Sequence, residues 1–194
     1  FVEGYMGWGE YNKINDVVQY WGGMTGDLLE YLNTEGYECH ASSVGFINSA
    51  WDRACNLYAQ MTGTRTDYGQ VHAAKYNHSR YGPDYTNNAL LEDWGKLDEN
   101  GRIRKVNFIT HSFGGTAVRL LAQLLAYGSP EEMAGTTEGE VSGLFTGGRT
   151  NLIHSVTTLT CPHNGTTLTF LLNPTFNFLD DAMRRGGTPT GNRK

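Results

Sequence analysis

An α/β fold, with a mostly parallel sheet and helices on both faces, is what this sequence predicts, and two observations carry it. The first is a strand, tight turn and helix in series. Val106, Phe108 and Ile109 form a short apolar run, His111-Ser112-Phe113-Gly114-Gly115 turns sharply, and Val118 to Leu125 repeats apolar residues at helical spacing. The second is the recurrence of that alternation along the chain, in the order strand, helix, strand, helix, strand, helix, strand, which implies a parallel sheet.

Taken in order, Phe1-Val2 is the tail of the first strand and Gly4-Tyr5-Met6-Gly7-Trp8-Gly9 the loop after it. Trp21-Gly22-Gly23 leads into a helix around Asp27 to Leu32, ended by Gly36. Tyr37 to Val44 reads as the second strand. Ser49 to Met61 reads as a serine-capped helix with Ala54, Leu57, Tyr58 and Met61 on one face. From Gly63 to Asn100 the pattern is broken and rich in tyrosine. The Val106 strand and its helix follow, then a surface turn at Ser129 to Glu132, a Gly/Thr-rich loop from Ala134 to Thr150 and a strand from Leu152 to Leu159. Phe176, Phe178, Leu179 and Met183 suggest a short amphipathic helix, and Gly186 to Lys194 has no hydrophobic residue and reads as disordered. The expected organisation is a core over residues 1–170 and a terminal segment over 171–194.

Composition bounds the function. The 194 residues suit one domain, and 39% hydrophobic with 18% charged residues is not a disordered composition. Twenty acidic against fifteen basic residues give a net charge of -5, which argues against a nucleic-acid partner. No apolar run approaches the roughly 18 residues of a membrane span, and no stretch reads as a signal peptide, which means little where Phe1-Val2 already looks like the end of a strand. Cys39, Cys55 and Cys161 are odd in number and lack a C-x-x-C spacing, so at least one thiol is unpaired within the chain; all three read as small core residues.

Ligands of a parallel sheet bind outside the carboxyl ends of its strands. Ser112, the loop at Gly4 and Cys161-Pro162-His163 all fall on that edge. Ser112 fits a nucleophile elbow, with Gly114 and Gly115 letting the helix approach the strand; Thr110 stands where the G-x-S-x-G pattern has its first glycine. A plain turn with an N-capping serine fits the same residues.

Gly7-Trp8-Gly9, Tyr20-Trp21-Gly22-Gly23, Trp51-Asp52-Arg53-Ala54-Cys55, Asp67-Tyr68-Gly69, His72-Ala73-Ala74-Lys75, His78-x-Arg80-x-Gly82, His111-Ser112-x-Gly114-Gly115 and Pro162-His163-x-Gly165-Thr166-Thr167 together resemble the zinc-containing bacterial lipases of the α/β-hydrolase superfamily, whose relatives also hydrolyse polyesters. The resemblance runs in order over nearly the whole chain. It implies an α/β-hydrolase core lacking its C-terminal strands and lid, with Ser112 as nucleophile and the backbone N–H groups of Phe113 and Tyr5 as oxyanion donors. Where the family has His-Gly-Phe, this chain has Glu3-Gly4-Tyr5. The resemblance further implies a structural zinc on Asp52, His72 and His78. The five residues between the two histidines do not place them on one helical face, so a turn near Asn77 must bring them together. Without the resemblance the two would read as surface histidines in a tyrosine-rich loop.

The fold orders its triad as Ser, then Asp or Glu, then His. After Ser112 come His154 and His163, and the carboxylates between are Glu131, Glu132, Glu138 and Glu140, all in polar surface segments. His111 adjoins Ser112 and points the wrong way, and the motif around His163 is a structural loop in the family. The family's triad Asp and His, its fourth zinc ligand and its calcium ligands are therefore expected outside this chain, and a serine without its base loses several orders of magnitude in rate. Expected partners are a lipid or other ester substrate at an interface, with self-association through an uncovered sheet edge. The resemblance implies a secreted protein. The rival expectation is a non-catalytic, metal-stabilised α/β domain that binds acyl ligands or a partner chain.

Overall fold

The computed structural model describes residues 1–166, with one compact unit over Phe1–Cys161 and a second beginning at Pro162. The expected helix at Phe176 to Met183 and the tail from Gly186 lie outside the described residues. Helix α1 spans Leu28–Thr34 and α2 Ala50–Thr62. Strand β1 covers Arg65–Asp67, α3 Gln70–Tyr76 and β2 Tyr81–Asp84. Then follow β3 at Val106–His111, α4 at Phe113–Tyr127, α5 at Pro130–Gly135 and β4 at Ile153–Leu159. Among the described residues no helix is long and apolar enough to cross a membrane.

Side-chain caps start the first two helices, at Ser49 as the sequence expects and at Asp27, which it reads as part of the helix. Asp27 accepts from Leu29 N and Glu30 N at the head of α1, and Ser49 accepts from Asp52 N at the head of α2, each satisfying donors that a first turn leaves open. Gly63, at φ 63°, ends α2 in the left-handed conformation that glycine adopts without strain.

Strands β3 and β4 pair in parallel from Val106↔Ile153 to His111↔Leu159, and Val2 adds a parallel bridge to Thr110 on the other side of β3. Successive residues of a strand face opposite ways. Phe108 accordingly enters the main core with Leu57, Met61, Val118 and Leu121, while Ile109 packs with Trp21, Leu29 and Ala41. The helices α2 and α4 thus lie on one face of β3 and α1 on the other.

The strand expected at Tyr37 to Val44 does not form. Four of its backbone donors go to side chains, Cys39 N to Asn33 Oδ1, Ala41 N to Glu10 Oε1, Ser43 N to Gln60 Oε1 and Val44 N to Glu3 Oε1, while Ser42 N makes a backbone bond to Phe1 O. The stretch from Gly63 also holds more order than its sequence suggests, because β1 and β2 pair antiparallel around α3. Of the three cysteines only Cys55 is a core residue; Cys39 and Cys161 are half-buried and all three are free thiols.

Beside this segment His40 lies 3.5 Å from Glu10 and 3.6 Å from Glu38. The hydrogen bond that its ring donates to Glu10 is the main cause that raises its pKa. A histidine whose folded pKa is raised contributes stability that is present below its unfolded value, about 6.5, and lost as pH climbs through the folded one. Urea midpoints of the unaltered chain should therefore fall relative to His40→Gln as pH rises above about 6.5; parallel midpoints there would refute the linkage.

Candidate functional site

Ser112 is the single residue between β3 and α4, with φ 51° and ψ -127°. Positive φ in a serine costs on the order of 1–3 kcal/mol and persists only where its surroundings impose it. Here Ser112 N donates to Leu159 O at 2.9 Å and His111 N to Val2 O at 3.1 Å. The glycines that follow leave no room for side chains: a Cβ on Gly114 would stand 2.5 Å from the Val2 carbonyl oxygen, and one on Gly115 would collide with the Cys161 sulfur. Ser112 occupies the N-cap position of α4 but its side chain makes no capping bond. Thr110, in the place of the motif's first glycine, is fully buried, with its hydroxyl 3.3 Å from Thr157 O.

The loop after Val2 packs directly onto this turn. A Cβ on Gly4 would lie 2.9 Å from Ser112 Cβ. Both peptide groups of Gly4 are held: its N–H donates to the Tyr20 hydroxyl at 3.1 Å, and its carbonyl accepts from Arg53 Nη2 at 3.0 Å. Arg53, wholly buried, also donates to the carbonyls of Glu3 and Gly45. The Tyr20 hydroxyl sits 2.6 Å from His111 Nδ1, so that nitrogen is engaged away from Ser112. Glu3 is fully buried, and its carboxylate accepts from Val44 N at 2.6 Å and Ser42 Oγ at 3.0 Å. Burial raises its pKa, against the opposing pull of the Arg53 charge. Tyr5 continues this loop and Phe113 opens α4. His154 lies on the exposed strand β4, and His163 belongs to the unit that begins at Pro162.

A second cluster gathers Asp52 from the first turn of α2, His72 from α3 and His78 from just beyond it, with one donor atom of each within 4.8 Å of the others. Asn77, at φ 56°, turns the chain so that His78 folds back and its N–H reaches Ala73 O at 3.1 Å. The turn expected at Asn77 is therefore present. Ser49 Oγ donates to Asp52 Oδ2 at 2.9 Å, leaving Oδ1 to face the rings, 3.3 Å from His72 Nε2 and 3.9 Å from His78 Nε2. That Oδ1 is buried and has no hydrogen-bond partner. His78 Nδ1 lies 2.9 Å from the Ser79 carbonyl, which can only accept, so the proton sits on Nδ1 and the lone pair on Nε2. Trp51 stacks on His72 at 4.9 Å and 11°, and burial lowers the pKa of His72 and favours its neutral ring. Tetrahedral zinc with bonds of about 2.0–2.1 Å sets its ligand atoms about 3.4 Å apart. The two distances to Asp52 Oδ1, 3.3 and 3.9 Å, stand near that spacing and all three donor atoms lie within 4.8 Å of one another, so the donor set fits a zinc-like cation.

What the sequence reading missed is α3 itself and Glu132. Glu132 was expected in a polar surface segment, yet it is buried and bonds to Val71 N and His72 N. A carboxylate three residues after a serine cap signals a helix start, but nothing local shows that a distant helix will cover it. A cavity of about 960 Å³ lies along Val106 to Ile109 and Tyr37 to His40, toward the other end of β3 from Ser112. Its size carries no information on a substrate for Ser112.

The family model described as the lipase-like, C-terminal domain matches residues 1–176. Lipase 2 of Staphylococcus aureus is 42% identical over 167 residues, which are 85% of this chain and 23% of that protein. Among solved structures, lipase 1 from Pelosinus fermentans matches with a TM-score of 0.81 and 42% identity, over 91% of this chain and 44% of that one. Staphylococcus hyicus lipase matches with a TM-score of 0.80 and 36% identity, over 94% and 46%. The chain thus spans less than half the length of each of these relatives. On the family match over 176 of its residues, the chain belongs to the bacterial lipase family of that domain.

Proposed function

We propose that this chain carries the nucleophile half of a carboxylic-ester hydrolase of the α/β-hydrolase fold, acting on triacylglycerols or other esters, polyesters included, at an interface outside the cell. Ser112 is the nucleophile, and the backbone N–H groups of Tyr5 and Phe113 stabilise the oxyanion. The observation that carries this reading is the positive φ of Ser112 at a strand-to-helix turn whose side chain does not cap the helix. In the reaction Ser112 Oγ attacks the ester carbonyl, and charge grows on the carbonyl oxygen beside Gly4-Tyr5 and Phe113. The proton of Ser112 needs a base, and the triad His and Asp belong to parts of the enzyme outside this chain. Asp52, His72 and His78 hold a structural zinc, which supplies cross-linking of α2 to α3 and no step of the ester chemistry.

The test is fluorophosphonate labelling and p-nitrophenyl butyrate hydrolysis by the purified chain, with intact mass as control. Slow labelling that Ser112→Ala abolishes is expected, since covalent reaction needs an activated nucleophile. Ser112→Gly, which relieves the positive φ, should unfold at higher urea than Ser112→Ala by about 1 kcal/mol or more. No labelling of the correctly massed chain, with Ser112→Gly no more stable than Ser112→Ala, would favour the rival reading of a non-catalytic, metal-stabilised domain.

A further inference from the structure

We propose that Glu132 is a positioning residue for the metal centre, fixing His72 from a helix sixty residues away in sequence; this rests on the reading of Asp52, His72 and His78 as a metal site. The helix that carries His72 is seven residues long, too short to hold an orientation by itself. Its far end is turned by Asn77. Its first turn is held by one carboxylate: Glu132 Oε1 accepts from His72 N at 2.7 Å and Oε2 from Val71 N at 3.0 Å. Those are donors with no partner inside the helix. Glu132 is 2% exposed, and its Oε2 also lies 3.4 Å from the Thr136 hydroxyl.

The seat is built for this group. Gly69, at φ 92°, leaves the space that the carboxyl occupies, since a Cβ there would collide with the Glu132 carboxyl carbon. The chain gives up a side chain just before α3 and brings a carboxylate from α5 into the gap. His72 N is bonded directly, so movement of the carboxylate moves the Cα from which the imidazole reaches toward Asp52. Ser49 does the equivalent work for Asp52 and the Ser79 carbonyl for His78. Glu132 completes the set through the backbone: it holds the His72 amide, where Ser49 and the Ser79 carbonyl hold side-chain atoms of Asp52 and His78.

The test is zinc affinity of the metal-free 194-residue chain, by competition with a chromophoric chelator, together with the visible d–d absorption of its cobalt(II) form. Glu132→Gln keeps the shape but offers one acceptor where two are needed. It should weaken zinc binding by about 10–100-fold and alter the cobalt band envelope, with Glu132→Asp restoring part of both. Asp27→Ala, which removes the cap of α1, serves as a destabilised control and should leave both readouts unchanged. Unaltered affinity and spectrum in a folded Glu132→Gln would overturn the inference while leaving the metal site standing. Failure of the unaltered chain to bind either metal would instead remove the metal-site reading, and this inference with it. If Glu132→Gln does not fold, amide exchange in the unaltered chain decides. Protection of the His72 amide comparable with the core of α2 supports the clamp, and exchange at the rate of an open amide refutes it.

Discussion

Arg53→Met is expected to cost on the order of 3–5 kcal/mol of folding stability, read as the shift of the urea midpoint at constant slope. The guanidinium is fully buried, yet its bonds run to backbone carbonyls of Glu3, Gly4 and Gly45. Removing it leaves the buried Glu3 carbonyl without this donor, at about 1–3 kcal/mol, and weakens the hold on Gly4, whose carbonyl keeps Gly7 N, and on the half-buried Gly45. It also takes away the positive charge that opposes the desolvation of Glu3. Arg53→Lys should recover little, because an ammonium cannot reproduce the planar fork that spans three carbonyls. The consequence reaches Ser112. The carbonyl of Gly4 and the N–H of Tyr5 belong to one trans peptide, which directs them to opposite sides, so holding the carbonyl on Arg53 sets where that N–H points. A midpoint within about 1 kcal/mol of the unaltered chain would show that water or rearranged backbone satisfies those carbonyls, and that Arg53 does not hold the loop.

Local signals made the elbow legible and long-range ones did not. The apolar run from Val106, the serine and the paired glycines are adjacent in sequence, and each has a steric meaning that survives any fold around it. The cap Ser49 is legible for the same reason. Tyr37 to Val44 misled because its β-prone side chains say nothing of where its N–H groups will go, and Asn33, Glu10, Gln60 and Glu3 claim four of them. The Glu3 substitution resolves likewise only in three dimensions, where its carboxylate is tied to Ser42 and Val44. The metal trio needed the family resemblance to be read at all, since Asp52, His72 and His78 lie on separate elements and only the left-handed Asn77 closes the last step. Glu132 had no sequence signal beyond its place near a capping serine, because its partners are sixty residues distant.

Zinc at about 100 times its dissociation constant is expected to stabilise the chain by about 2.7 kcal/mol over the chelator-treated protein, and Asp52→Asn to abolish that gain. For a domain of this size the gain corresponds to a rise in Tm of about 5–10 °C. The variant separates a metal ligand from a merely structural carboxylate. In chelator, Asp52 already has a buried Oδ1 with no hydrogen-bond partner between two imidazoles, while its Oδ2 takes the Ser49 hydroxyl, a bond an asparagine oxygen can also accept. What asparagine loses there is the favourable charge at the start of α2, worth about 0.3–1 kcal/mol. The chelator-treated variant should therefore stay within about 1 kcal/mol of the unaltered chain. In zinc the two should part by the whole binding gain, because a ligand is lost and not only an outer partner, whose removal costs about 10–100-fold in affinity. Equal stabilisation of both proteins by zinc would move the ion to other residues. Zinc without effect on either would leave Asp52 a carboxylate of the first helical turn bonded to Ser49, and the two histidines the surface pair that the sequence alone suggests.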